Sequence, residues 1–277
     1  MDMTETFQLK IGSAQLAGEY SGHGKPLIFL HAGVADRRMW CPQIDTLKNY
    51  FQTVIYDRRG FGKTTCLDEA FSHVNDLRQV IEQLGLTDVV LIGCSQGGRI
   101  ALDFALAYPH QVTALVLIAP AVSGAPEPIT FPQNIQARIN ALDEADEAND
   151  LELVNTIETD LWLDGPTSPS GRVDDSLRKL LLDMNGIALR KPELTLEQEP
   201  TSAYEKLPNL SIPTLVVWGN LDFPHVSERC HYLVNTIPTA IGEEMPNTAH
   251  LLNLEEPEYL NNLLQAFLSS SNELKNT

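Results

Sequence analysis

The sequence predicts an α/β fold, a mostly parallel central sheet with helices on both faces and a helical insertion late in the sheet. Three observations predict it. Short apolar runs of strand length alternate with segments of helical periodicity. The runs "PLIFLHAG" (26–33), "DVVLIGCS" (88–95), "VTALVLIAP" (112–120) and "PTLVVWGN" (213–220) are almost continuously apolar, the pattern of strands covered on both faces. Finally, about ninety residues of different composition separate the third of these runs from the fourth.

Taken in order, "FQLKIGSAQLAGEYSG" reads as a hairpin turning at Gly12-Ser13, followed by the strand at 26–33 and a second at "QTVIYD" (52–57). A helix is expected over 72–85, where Val74, Leu77, Ile81 and Leu84 recur at three-and-four spacing. Ser72 stands where it can cap the start and Gly85 where it can end the last turn. The strand at 88–95, a helix from Gln96 to about Tyr108 stopped by Pro109, and the strand at 112–120 complete a βαβ series. The pattern then breaks. A loop at "SGAPEPITFP" (123–132) leads to acid-rich helical segments, a second break at "DGPTSPSGR" (164–172), a helix within "VDDSLRKLLLDMN" and an exit through "RKPELTLEQEP". Sheet character resumes at 213–220, with a helix near 226–236, a short strand near 240–245 and a closing helix around 256–268. Neither half completes a covered sheet alone, so one interrupted sheet explains the order better than two domains.

Composition bounds the function. With 277 residues, 43% hydrophobic and 20% charged, and no low-complexity tract or solenoid repeat, the chain should be a soluble globule with a sizeable core. Nineteen Lys and Arg against 37 Asp and Glu give a formal charge of −18, which would repel both a phosphate backbone and an anionic membrane. Nucleic acid and membrane surfaces are therefore discarded as partners. Glu127 to Asp164 holds ten of the acids and one base, Arg138. "MDMTETFQLKIG" has neither a basic start nor a signal-length apolar run, and no stretch of about 18 uncharged apolar residues occurs, so a cytoplasmic protein is expected. Cys41, Cys66, Cys94 and Cys230 lack the close spacing of zinc or redox motifs, so reduced thiols and no metal are expected.

The chemistry-bearing stretch is "LIGCSQGGRI" (91–100), which sets Ser95 between a strand and a helix in a Gly-x-Ser-x-Gly pattern. Such a turn lifts a serine hydroxyl clear of the carboxyl edge of a sheet, and Gly93 and Gly97 remove side chains that would collide across it. The Gln96 N–H, at the helix start, would point at an oxyanion. A phosphate loop fits less well: no Lys-Ser/Thr pair follows, and the glycines miss the G-x-G-x-x-G spacing.

A serine hydroxyl needs a base, and the base an orienting carboxylate. Asp222, just beyond "VVWG", falls at the sheet edge of Ser95, and His250 in "NTAHLLNLEEP" follows 28 residues later, giving the order serine, acid, histidine. His225 is the rival, but a base so close to Asp222 in sequence would struggle to reach both the acid and Ser95. His31, at a strand end in "FLHAG", reads as a brace for its loop. His23, His73, His110 and His231 read as surface or helix-end residues. The second oxyanion donor should come from the loop after the third strand, where Gly33 is favoured over Val34 because its missing Cβ lets a carbonyl approach.

On "FLHAG", "YDRRGFGKT" (56–64), "GCSQGG", "WGNLD" and "NTAH", the chain resembles the α/β-hydrolase superfamily over nearly its whole length. The resemblance implies an α/β-hydrolase core of residues 1–120 and 211–277, with 121–210 as a helical cap that covers the site. It implies that Asp57 and Arg58 form a supporting turn. Departures narrow the activity. Dehalogenases and epoxide hydrolases of this fold carry aspartate where Ser95 stands, and "HAGVAD" lacks the Gly-Gly-Pro loop usual in proline iminopeptidases. The same loop has His31-Ala32 in place of the common His-Gly pair. The reading is a cofactor-free serine hydrolase with Ser95, Asp222 and His250 as triad and Gly33 and Gln96 as oxyanion donors, acting as monomer or homodimer on a small-molecule ester or lactone. An enol-lactone or carbon–carbon bond hydrolase, a lyase, a cofactor-free peroxidase or a ligand receptor retaining the triad are the alternatives. In the cap, Leu161, Trp162, Leu181 and Met184 stand as pocket candidates, although a helical apolar stripe more commonly packs against the core.

Overall fold

The computed structural model describes residues 4–198 and 200–273. Glu5–Ile11 (β1) and Ala14–Ser21 (β2) pair antiparallel about Gly12, whose φ of +58° glycine adopts without steric cost. The apolar runs form Pro26–Leu30 (β3), Gln52–Tyr56 (β4), Val89–Cys94 (β5), Val112–Ile118 (β6) and Thr214–Gly219 (β7), nearly every residue of which is buried. Ala240–Met245 (β8), with half of its residues exposed, closes one edge. All eight belong to one sheet in the order β1-β2-β4-β3-β5-β6-β7-β8, and from β4 onward every neighbouring pair is parallel.

The strand alternation splits the core into two layers. Ile28, Leu30, Leu91, Leu115 and Val216 face one side, while Leu27, Phe29, Val90, Ile92 and Val217 face the other. Cys41–Leu47 (α1) lies with the second layer, whereas His73–Gln83 (α2) and Gln96–Ala107 (α3) cover the first. The Ser72 hydroxyl caps α2 by accepting from Asn75 N–H, and Gly85 leaves it with φ +64°.

Between β6 and β7 run Gln133–Glu147 (α4), Leu151–Thr159 (α5) and Asp175–Leu189 (α6). A π-helical turn over Asp160–Asp164 continues α5, a feature the residue spacing does not announce. Pro224–Thr236 (α7) joins the first layer, and Leu252–Glu255 (α8) and Pro257–Glu273 (α9) complete the second. Several boundaries differ from the sequence reading, those of β3 and α9 among them. β3 stops at Leu30, because the chain turns there and the Ala32 N–H donates to the Met39 sulfur rather than to a neighbouring strand. α9 runs beyond residue 268. No helix among the described residues is long and apolar enough to cross a membrane.

Because β3, β5, β7 and β8 run parallel, their carboxyl ends share one edge, and the loops that leave them meet above it.

Candidate active site

Ser95 follows β5 directly, with φ +53° and ψ −117°, a region that a side chain with a Cβ rarely adopts. Such backbone costs about 1–3 kcal/mol and persists only where the surroundings over-determine it. They do so here. The Ser95 N–H donates to the Ile118 carbonyl at 2.9 Å, and its carbonyl accepts from Arg99 N–H at 3.0 Å and from Ala121 N–H at 3.1 Å. The helix can start this tightly only without side chains at the crossing: a Cβ on Gly93 would lie 2.3 Å from the Gly97 carbonyl oxygen, and one on Gly97 2.1 Å from that of Leu30.

Asp222 and His250 are brought together from loops after β7 and β8. The His250 Nδ1 lies 2.7 Å from Asp222 Oδ2, and the other Asp222 oxygen accepts from Phe223 N–H at 2.7 Å. Both side chains are buried. With the carboxylate ionised, Nδ1 carries the proton and Nε2 presents its lone pair; that atom is buried and has no protein hydrogen-bond partner among the described residues. The loops are tied to each other by Asn220 N–H on the Met245 carbonyl at 3.1 Å and Leu221 N–H on the Thr248 carbonyl at 2.9 Å. Glu255 accepts from Ala249 N–H at 2.8 Å and so holds the residue just before the imidazole. No hydrogen bond joins the Ser95 hydroxyl to His250, a looseness common before substrate tightens such a site.

Gly33 follows β3, and Gln96 opens α3. Among the described residues neither backbone N–H has a protein acceptor, and the first N–H groups of a helix have no intrahelical one. The Gln96 side chain crosses Gly33 closely: a Cβ on that glycine would meet its Cδ at 2.9 Å. Beside both residues opens a cleft of about 310 Å³, walled by Phe61 and His73 from the core and by Glu158 and Asn185 from the inserted helices. Burial raises the Glu158 pKa, opposed by the hydrogen bond from Asn185 at 2.7 Å.

The remaining candidates separate. His225 makes no bond to Asp222, whose oxygens are occupied. Its ring packs 5.4 Å from both Phe131 and Phe223, and burial, then nearby Arg229, lowers its pKa. His31 donates from Nδ1 to the Ala32 carbonyl at 2.8 Å and accepts at Nε2 from Arg58 N–H at 3.1 Å. Burial first, and the Arg58 charge second, hold it neutral. His73 is buried edge-on against Phe71 at 5.1 Å rather than lying on the surface. Leu161, Leu181 and Met184 are fully packed, while Trp162 lies 4.6 Å from the His250 ring and 4.8 Å from Phe223. Glu255 escapes a reading by spacing alone, since only its place in "HLLNLEEP" after His250 hints at a role.

A family model described as alpha/beta hydrolase fold matches residues 25–153. The carboxylesterase YbfK of Bacillus subtilis (strain 168) is 27% identical over 253 residues, covering 87% of this chain and 79% of that protein. The pimeloyl-[acyl-carrier protein] methyl ester esterase of Vibrio atlanticus (strain LGP32) is 28% identical over 211 residues, 73% of this chain and 78% of its own. A thermophilic esterase from Thermogutta terrifontis, solved with malate bound, matches in fold with a TM-score of 0.76 at 24% identity, over 98% of this chain and 99% of that one. By its sheet, its elbow and these matches, the chain has the α/β-hydrolase fold.

Proposed function

We propose that the protein is a serine hydrolase that cleaves a carboxylic ester of a small or medium-sized substrate through an acyl-enzyme. The observation that carries the reading is the Asp222–His250 pair at 2.7 Å, buried with a free Nε2, at the sheet edge where Ser95 stands in left-handed backbone. In this reading His250 takes the Ser95 proton as the hydroxyl oxygen attacks the ester carbonyl carbon. The N–H groups of Gly33 and Gln96 bind the oxyanion. The imidazolium returns its proton to the departing alcohol, and a water molecule, activated by the same imidazole, releases the acid. No metal or organic cofactor enters these steps. Residues 121–210 serve as a cap on a core of 1–120 and 211–277, a role supported by Trp162 resting on the His250 ring. The esterase names of the relatives point the same way.

The test is a panel of p-nitrophenyl esters and lactones with Ser95→Ala as control. A burst of p-nitrophenol equal to the enzyme added, and a loss of at least about 10³-fold in kcat on removing Ser95 or His250, are expected. Turnover that survives Ser95→Ala would overturn the reading, and chemistry without an acyl-enzyme would move it to a lyase or a cofactor-free peroxidase.

A further inference from the structure

Arg58 is 1% exposed, yet no carboxylate pairs with it among the described residues. Its sequence neighbours show how unusual that is. Arg59 meets Asp76 and Glu69 at 2.8 Å each, and Arg37, whose chain lies across the same turn, is held between Asp57 and Glu19. Taking a guanidinium out of water without a counter-charge is costly, so such a group persists where fixed dipoles replace the solvent. Those dipoles are specific. One terminal nitrogen of Arg58 donates to the His31 carbonyl at 3.2 Å and to the Ala32 carbonyl at 3.3 Å, and both terminal nitrogens reach Gln96 Oε1 at 3.3 Å. The guanidinium carbon lies 4.5 Å from the centre of the Phe61 ring, and Nε has no partner. Burial lowers the Arg58 pKa to about 10, which leaves the charge in place at neutral pH.

The peptide between Ala32 and Gly33 links this cation to the catalytic face. A trans peptide is planar, with its C=O and N–H pointing in opposite directions, and no peptide among the described residues is cis. The Ala32 carbonyl accepts from His31 Nδ1 at 2.8 Å and from Ala35 N–H at 3.4 Å besides Arg58. With that oxygen pinned on the guanidinium side, the Gly33 N–H must face the other way, unpaired. A cation at the carbonyl end of a peptide also polarises it and strengthens the donor at the far end. The Gln96 side chain, gripped by the same guanidinium, packs on the Gly33 α-carbon and so ties the two donor residues together.

We infer that Arg58 is a positioning residue of the oxyanion hole: it holds the Ala32–Gly33 peptide and Gln96 in donor geometry and sets a positive charge with no paired carboxylate behind them. The inference rests on the reading of Gly33 and Gln96 as oxyanion donors and goes beyond a supporting turn at the sheet edge. The charge should matter more to the tetrahedral intermediate than to the bound ester, because only the former carries a full negative oxygen.

The experiment measures kcat and KM for a p-nitrophenyl ester, normalised to active sites by burst titration. Alongside it, the inhibition constant of phenylboronic acid is taken, since that acid forms an anionic tetrahedral adduct on a reactive serine. Arg58→Met is expected to lower kcat about 100-fold with KM within about threefold of wild type, and to weaken phenylboronic acid in proportion. Arg58→Lys keeps the charge but loses the planar fork, and should recover about a tenth of the wild-type kcat. A Met variant whose kcat per active site stays within about threefold of wild type, or whose loss lies in KM alone, overturns the inference. If the Met variant does not fold, the Lys variant decides: wild-type kcat and wild-type boronate affinity overturn it, and a matched fall in both supports it. Wild-type turnover that Ser95→Ala abolishes keeps the hydrolase reading standing whatever the Arg58 variants do. Turnover insensitive to that control removes both.

Discussion

At the elbow, the left-handed Ser95 is held in place by the bonds from Arg99 and Ala121 and by the missing side chain at Gly97. A methyl group there faces main-chain oxygen rather than a flexible side chain, so the strand end or the helix start must move. Gly97→Ala is therefore expected to lower the unfolding free energy by about 1–3 kcal/mol, read as a fall in the urea midpoint at unchanged slope. Further along the same helix Asp103 is buried, with one oxygen accepting from the Ser123 hydroxyl at 2.7 Å and the other without a partner. Burial pushes its pKa up to about 6. A carboxyl raised in the folded state keeps its proton there longer than in the unfolded chain. Its stabilisation is complete below the unfolded value of about 3.9, falls as pH rises and is lost above about 6. Asp103→Asn removes that titration, so the drop in thermal midpoint between pH 4 and pH 7 should be smaller in the variant than in wild type.

Between elements, the inserted helices are fastened to the histidine loop by one side chain. Arg172, just before α6, donates to the carbonyls of Asp164 at 2.6 Å, Leu163 at 2.9 Å and Asn247 at 3.0 Å, and pairs with Glu255 at 2.5 Å. Glu255 in turn holds Ala249 N–H, so one chain of contacts runs from the π-helical turn carrying Trp162 to the residue preceding His250. Loss of the guanidinium frees both ends. Arg172→Met is expected to lower kcat about tenfold through misplacement of the imidazole. Glu255→Gln, which can still accept from Ala249, should cost less, and steady-state kinetics at matched folded fraction compare the two.

For the whole molecule, the net charge of −18 sets a field that repels anionic substrates before any contact forms. Raising ionic strength from about 0.01 M to about 0.15 M shortens the screening length from about 30 Å to about 8 Å. The kcat/KM for a p-nitrophenyl ester with a free carboxylate should therefore rise severalfold over that range, while the neutral acetate ester changes little. Equal salt responses would mean that the acidic surface lies too far from the cleft to act.

Local structure was open to reading from the residues alone. The runs that became β3, β5, β6 and β7, the turn at Gly12, the cap at Ser72 and the order of Ser95, Asp222 and His250 all reflect spacing along the chain, because backbone periodicity and turn preference act over a few residues. What tertiary structure decided are contacts between distant positions. Periodicity could not show that Asp222 spends both oxygens on His250 and Phe223 N–H and none on His225, that Trp162 of the insertion comes to rest on the imidazole, or that His73 is buried. Nor could it distinguish three arginines crowded at one turn, two with carboxylate partners and one, Arg58, set instead against carbonyls, the Gln96 amide and the Phe61 ring. Such partners are chosen when the sheet twists and its layers close-pack, and a pattern of apolar and polar letters is the same whichever partner wins.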